Sequence, residues 1–557
     1  MKVFKLSNDI EVHGKWITLK EVFVQILQIK WTLTWYNSFN IIYFIFQISY
    51  NMDRTDSIIS DTLPVVTEES YSPEGVVGGH HKDDYGGSME HQGDMGAHNA
   101  SINTTREYAL MESGDNDHKV SAKGRVKRRS FLNSRQFTSF RSASLSVSML
   151  EKPSDDRKAH AFLAGWNVSN LIQGTGILGV PYAVQQGGWA AVAMIFIVAI
   201  LCCHTGKLLV DCMYEKSKKT GIRRRLRINY PEVAEAVMGR KGLVLLSIIQ
   251  TVEMFGGVIM YIVLLGTVWA DLFQKYTGLG FKAWAAINCC LSLPSLFITK
   301  MSIVSWLSML SVFSLMSALI TLITFCSTQF SIWTLANIPA FDLQTFPVGF
   351  GIIVFSYTAH AVFPSIEGSM KKPEQFDSMM NSSFLLAAVV KGVLGSFMVL
   401  TFGSATNEVA TVNLVGHPIF SKIATFLVIG NVLLAVPLGM FVVSMTFDDA
   451  FLTHFPHLNR DSRYNWVWLL ITRPLLLSFA LLLAIMVPHF GLLMGVIGSF
   501  TGTCLCFIFP CYFHLKLRWE TLSKWQVFVD VFIIVFGVIA GSLGLAFSTK
   551  ALVMTYL

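Results

Sequence analysis

The 557-residue sequence predicts an all-α protein that crosses a membrane many times, and three observations carry that reading. Only 14% of the residues are charged and 52% are hydrophobic, against roughly a quarter charged in an ordinary soluble domain. Mean hydropathy is +0.51. Beyond residue 158 the apolar residues fall into runs near the roughly 20-residue length that a helix needs to cross a bilayer. The net charge of +7 is small for this length. It reads as orientation bias and a basic tail and argues against a nucleic-acid partner.

Composition divides the chain into three regions. Residues 1–51 contain apolar pieces at 22–27 and 39–48, interrupted by Gln28, Lys30 and several Asn. The second is far shorter than a span, and no compact apolar core with a small-residue cleavage site marks a secretory signal. Met52 begins DRTDSIISDTLP, which has the character of a cytosolic N-terminus. The expectation is therefore that translation starts at Met52 and that 1–51 is an extension either untranslated or without structure. Residues 52–158 form a polar stretch rich in Ser, Asp, Gly and His, too poor in large apolar side chains to bury a core, and are expected to be a disordered cytosolic tail. The tail is acidic early (Glu68, Glu69, Asp83, Asp84) and basic at KGRVKRRS, 123–130. That run fits a contact with anionic lipid, a basophilic kinase site at Ser130, or a merely solvated segment.

Residues 159–557 form the membrane domain. Apolar segments at 160–184, 187–210, 241–270, 281–299, 302–328, 346–366, 382–403, 417–446, 465–487, 489–515 and 524–548 give about eleven spans. Lys and Arg concentrate after the even-numbered ones: KSKKTGIRRRLR (216–227) after span 2, Lys371 and Lys372 after span 6, Arg460 and Arg463 after span 8, Lys516 and Arg518 after span 10. The positive-inside rule places those loops and the N-terminal tail in the cytosol, and the odd count puts the C-terminus on the far side. Trp189, Trp269 and Trp525 fit interfacial anchors.

Span 1 carries GTGILGVPYA, 174–183, with three glycines and a proline inside eight residues. Each Gly costs roughly 1 kcal/mol in a helix and Pro roughly 3. Such a break is tolerated at membrane depth only where the freed backbone groups are buried in protein or line a cavity. Transporters use paired breaks to bind substrate. Span 6, FPVGFGIIVFSYTAHAVFPSIEG (346–368), has a matching interruption, and its separation from span 1 by five predicts a five-plus-five inverted repeat with broken helices 1 and 6 and one added span. Gly174, Gly176 and Gly179 are candidates for a backbone cradle around a substrate carboxylate, the alternative being close helix packing. Ser356, Tyr357 and Thr358 are candidate hydrogen-bonding groups, unless the hydroxyls satisfy their own helix.

Charged residues inside the spans are costly and therefore functional candidates. Glu253 lies well within span 3; Lys391 in span 7 and Arg473 in span 9 are the available cations, free either to pair with it or to snorkel to the cytosolic edge. Glu253 is the candidate proton carrier, pairing with a cation in one conformation, and a static ion pair is the alternative. His360 is suited to titrate in an acidic lumen or to make a plain hydrogen bond. The nine cysteines form no paired CxxC, so neither a disulfide framework nor a metal site nor a cofactor is expected. His204, His360 and His489 lie on different spans without a catalytic set, against an enzyme. No charge ring or filter motif supports a channel.

Several stretches resemble the amino acid/auxin permease family: WNVSNLIQGTGILGVPYA (166–183), CCHTGKLLVDCMYE (202–215), FGIIVFSYTAHAVFPSIEGSMKKPEQF (350–376) and VPHFGLLMGVIGSFTGTCLCFIFPCYFHLKLRW (487–519). Within that family they are most similar to the vesicular inhibitory amino acid transporter branch, over about 160–548. The resemblance implies a carrier that loads GABA or glycine into synaptic or other cytoplasmic vesicles in exchange for luminal protons. Its partners would be a small zwitterionic amino acid, protons and the bilayer. The expected substrate-binding set is Asn170, Gly174, Thr175, Gly176, Gly179, Ser356, Tyr357 and Thr358, and the proton-coupling set is Glu253, Lys391 and His360. If translation starts at Met52, mass spectrometry of the mature protein will recover no peptide from 1–51.

Overall fold

The structure is a computed structural model that describes residues 9–12, 15–18, 160–216, 223–297, 301–334, 338–414, 418–452 and 465–556. The expectations for 1–51 and 52–158 lie outside the described residues, apart from two four-residue strands, β1 (Asp9–Val12) and β2 (Lys15–Thr18), paired antiparallel.

The membrane domain is helical, as expected. Span 1 is α1 (Ala161–Gln173), a 3-10 turn (Thr175–Gly179) and the start of α2 (Val180–Asp211), whose remainder is span 2. A short hairpin of β3 (Tyr214–Lys216) and β4 (Arg223–Arg225) follows. Spans 3 to 5 lie in α3 (Tyr230–Thr277), α4 (Phe281–Ser292) and α5 (Met301–Thr328). Span 6 is two half-helices, α6 (Phe346–Tyr357) and α7 (Phe363–Ser369). Spans 7 to 9 are α8 (Phe376–Phe402), α9 (Pro418–Phe451) and α10 (Asn465–Met486). Span 10 runs from α11 (Phe490–Ile497) through π-helical turns at Gly498–Gly502 and Cys504–Ile508 into α12 (Phe509–Arg518), and span 11 is α13 (Lys524–Met554).

Among the described residues eight helices are long and apolar enough to cross a membrane, and Phe281–Phe297 and Phe346–Tyr357 are shorter apolar helices. The expected eleven crossings are thus not eleven full-length helices, for local reasons. Gly188 joins spans 1 and 2 with φ +64°, a conformation that lets one helical run continue through a kink. A Cβ there would sit 2.1 Å from the Pro339 carbonyl oxygen, so only glycine lets the connector before span 6 lie on this corner. Trp189 N–H and Ala190 N–H then donate to the Pro339 and Ala340 carbonyls.

The packing reproduces the predicted repeat. Spans 1 and 2 pack on 6 and 7 (α2 against α6 and α8), span 3 on span 8, and span 4 on span 9. The contact of span 5 with span 8 is answered by that of span 10 with span 3. Adding five to each number maps these pairs onto one another. Described residues at the ends of spans 2, 6 and 10 meet at one end of the bundle, here the basic end: Arg518 is bonded to Asp211, and Arg225 to the α7 segment.

Arg473 departs from the snorkelling expectation. It is buried on α10 and makes two bonds to Asp448 of α9, at 3.0 and 2.7 Å, while Trp468 Nε1 donates to the same carboxylate at 2.7 Å. Pairing inside the bundle satisfies both charges without moving either to water. Arg473→Leu, which strands Asp448, is expected to destabilise the protein by about 3–5 kcal/mol. The readout is the midpoint of thermal unfolding in detergent, with partial recovery in Arg473→Leu/Asp448→Asn.

Candidate functional site

The two helix breaks lie against each other. Helix α1 stops at Gln173, and the Gly174 N–H donates to the Asn170 carbonyl at 2.9 Å. All five residues of the following turn are buried, and Pro181 occupies the second position of α2, where its missing N–H is no loss. A Cβ on Gly176 would lie 3.3 Å from the Ser356 Cα, so the two backbones are nearly in contact where both helices are interrupted. A Cβ on Gly179 would meet Met494 Sδ at 2.8 Å, whereas on Gly174 it would meet only the Leu171 carbonyl of its own helix. Gly176 and Gly179 therefore serve close packing on these faces, and Gly174 is the most open of the three.

On the other side α6 ends at Tyr357, and the chain is non-helical until Val362. Ser356 Oγ donates to Ile353 O at 2.7 Å and Thr358 Oγ1 to Val354 O at 3.0 Å, so both hydroxyls satisfy their own helix. The last carbonyls of α6 have lost their helical partners. Lys391, fully buried on α8, supplies one: Nζ donates to Ser356 O at 2.6 Å and to Ser356 Oγ at 3.1 Å, and sits 3.4 Å from the centroid of the Tyr357 ring. No carboxylate is bonded to it among the described residues. Its amino group instead meets the carbonyl end of the half-helix and the face of an aromatic ring.

Three buried polar atoms at these breaks have no hydrogen-bond partner among the described residues: Gln173 Oε1 at the end of α1, and Tyr357 OH and His360 Nδ1 beside the gap in span 6. Groups so placed are open to a ligand or water, and ten further buried polar atoms among the described residues share the condition. His360 is anchored through its other nitrogen, Nε2 lying 3.0 Å from Thr205 Oγ1 of α2. The Thr205 hydroxyl already donates to the Leu201 carbonyl, so it accepts from Nε2–H and leaves Nδ1 as the unpartnered lone pair.

Glu253, 4% exposed, does not meet Lys391 or Arg473 here. Its carboxylate accepts a hydrogen bond from Thr501 Oγ1 in the first π-helical turn of span 10. The sequence reading placed Glu253 correctly inside the bundle and missed its partner, because a threonine in an apolar run carries no signal of what faces it.

Each end of the bundle is clasped by polar groups. At the basic end Glu367 of α7 accepts from the Tyr214 hydroxyl and lies 3.5 Å from Arg225, whose guanidinium also donates to the Pro364 carbonyl at 2.7 Å. A cleft of about 1020 Å³ opens beside this clasp, floored by His514 and Asp530. At the opposite end Glu408 accepts from the Gly491 N–H at 2.8 Å and lies 3.3 Å from His489. Burial, with Glu408 adding to it, pushes the nearby Tyr556 phenol up to about 12. The sequence reading did not single out Gln173, Thr205, Glu408, Asp448 or Asp530.

A family described as "Transmembrane amino acid transporter protein" matches residues 157–550. The human vesicular inhibitory amino acid transporter is 35% identical over 414 residues, covering 72% of this chain and 78% of its own. The Caenorhabditis elegans vesicular GABA transporter is 32% identical, covering 70% and 80%, and the Arabidopsis thaliana amino acid transporter AVT1D is 28% identical, covering 68% and 67%. Among solved structures, a nucleobase–cation-symport-1 family transporter in a closed conformation aligns at 13% identity over 73% of this chain and 96% of its own, with a TM-score of 0.45.

Lys391→Met removes both bonds to Ser356 and uncaps the half-helix. Amino acid uptake is expected to fall roughly ten- to hundredfold, the equivalent of a 1.5–3 kcal/mol hydrogen bond to a charged group. Transport assays normalised to surface-folded protein check this.

Proposed function

Because this chain belongs to the transmembrane amino acid transporter family, we propose that it is a carrier, not an enzyme, that loads GABA or glycine into vesicles by exchange with luminal protons. The observation that carries this is the meeting of two helix breaks around three unpartnered polar atoms. A zwitterion suits such a site. Its carboxylate faces the N-terminal end of the 3-10 turn and α2, with Gly174 as the point of closest approach. Its ammonium is taken by acceptors such as Gln173 Oε1 and the carbonyls freed at the breaks. Asn170, Thr175 and the 356–358 segment shape the site from either side. The names of the human and worm relatives support the substrate class and the vesicle.

Transport then proceeds by alternating access. The Glu367 clasp and the Glu408 clasp release in turn, and the half-helices move relative to the rest of the bundle. Charge bias puts the basic end and the N-terminal tail in the cytosol, with 159–557 as the transport domain. Glu253 carries the proton: a carboxyl with a single hydroxyl partner inside the bilayer changes its bonding when it ionises, and the π-helical turn beside it is a strained winding often found at functional sites.

The test is uptake of labelled GABA and glycine into vesicles with an acid interior. Wild-type uptake is expected to collapse with a protonophore, and Glu253→Gln to abolish gradient-driven uptake. Uptake of neither, with uptake of another neutral amino acid, would move the protein to a different branch of the family. Normal pH-dependent transport by Glu253→Gln would remove that residue from the mechanism.

A further inference from the structure

Span 10 ends on a second acid–base pair that the site does not use. His514 Nδ1 on α12 lies 2.6 Å from Asp530 Oδ2 on α13, and the two side chains are 7% and 2% exposed. Asp530 sits six residues into span 11, where a carboxylate is costly and is kept for a reason. The pair is not sealed in, because both residues line the cleft at the basic end. His204 of α2 faces it from the same cleft, close enough to interact electrostatically with both His514 and Asp530.

We propose that His514 and Asp530, assisted by His204, form the station at which protons pass between the membrane interior and the cleft. The inference rests on the proton-exchange reading above. Three features favour it over a plain tie between two helices. A buried ion pair is weak support for stability, since its desolvation offsets its attraction. An imidazole has a nitrogen on each side of its ring, so it can take a proton at one and pass one on at the other toward the carboxylate, where Arg or Lys could not. Span 10 also carries Thr501, the partner of Glu253, thirteen residues earlier, which is about 20 Å along a helix. One span thereby joins the mid-membrane carboxyl to the cleft.

Other charges around the pair set its field. Lys207, on α2, is bonded to Asn381 at 2.6 Å. Asp211 is held by Arg518 and Arg223. Glu374 and Asp377 face the cleft from the start of span 7, and Glu367 lies at its edge, clasped by Arg225. Cys212 and Cys511 are the buried thiols within electrostatic reach of Asp530.

Proteoliposomes containing the full chain decide the matter through two measurements: accumulation of labelled GABA or glycine driven by an acid interior, and counterflow of the same amino acid at equal pH. Wild type must show protonophore-sensitive accumulation; if it does not, the proton-exchange reading itself fails, whatever the variants do. Given that, Asp530→Asn is expected to lose accumulation down to the protonophore level while counterflow persists. His514→Gln, which removes the imidazole and keeps a polar amide at the position, is expected to do the same and decides alone if Asp530→Asn does not fold. His204→Gln is expected to shift the external-pH dependence of accumulation without abolishing it. Retained accumulation in His514→Gln, or a proportional loss of accumulation and counterflow, overturns the proposal.

Discussion

Inside a bilayer every backbone N–H and C=O must find a partner within the protein, and the organisation of this protein follows from how it meets that demand at two interrupted helices. The break in span 1 is closed by a tight 3-10 turn with every residue buried. The break in span 6 is closed at its first end by an ammonium, with Lys391 bonded to Ser356. Neither solution stands alone. The turn is sheltered because Gly176 lets the Ser356 backbone approach, and Lys391 is held because α8 packs against α1 and α2.

The same demand separates the charged groups by role. Arg473 and Asp448 answer each other with two bonds, and nothing about them is left open. Lys391 has no carboxylate bonded to it among the described residues and leans on a dipole and a ring, an arrangement sensitive to movement of α6. Glu253 has a hydroxyl where a cation would have fixed it permanently.

The two ends of the bundle are built alike in principle. At each, a carboxylate from one element is bonded to another: Glu367 on α7 to the β3–β4 hairpin, and Glu408 to the start of α11. The Glu408 contact is part-exposed and exchanges partners at small net cost, whereas Glu367, 1% exposed, gives up a buried bond when it opens. The packing of α5 on α9 is tied instead by hydrogen bonds inside the bundle, Ser311 with Asn431 in both directions and Ser314 Oγ to the Leu427 carbonyl at 2.6 Å, which suits a frame against which the half-helices move.

Hydropathy, loop charge and the position of glycine and proline were legible in the chain itself. They determined a multispan helical domain from about residue 159, the break at 174–181, its counterpart in span 6, and the five-span offset between them. These are local quantities: a run of apolar residues or a helix breaker acts on its own few turns. What they could not determine was which side chains meet. Gly176 reads alike as a ligand cradle or a packing site until Ser356 is seen against it. Thr501 has no pattern that points to Glu253, 248 residues away. Arg473 and Asp448 look like residues near span ends until α9 and α10 bring them together inside. Kinked helices also blurred the count, since Gly188 lets two spans run on as one helix. Partnership across helices depends on rotation and depth in the bundle, and only tertiary packing sets those.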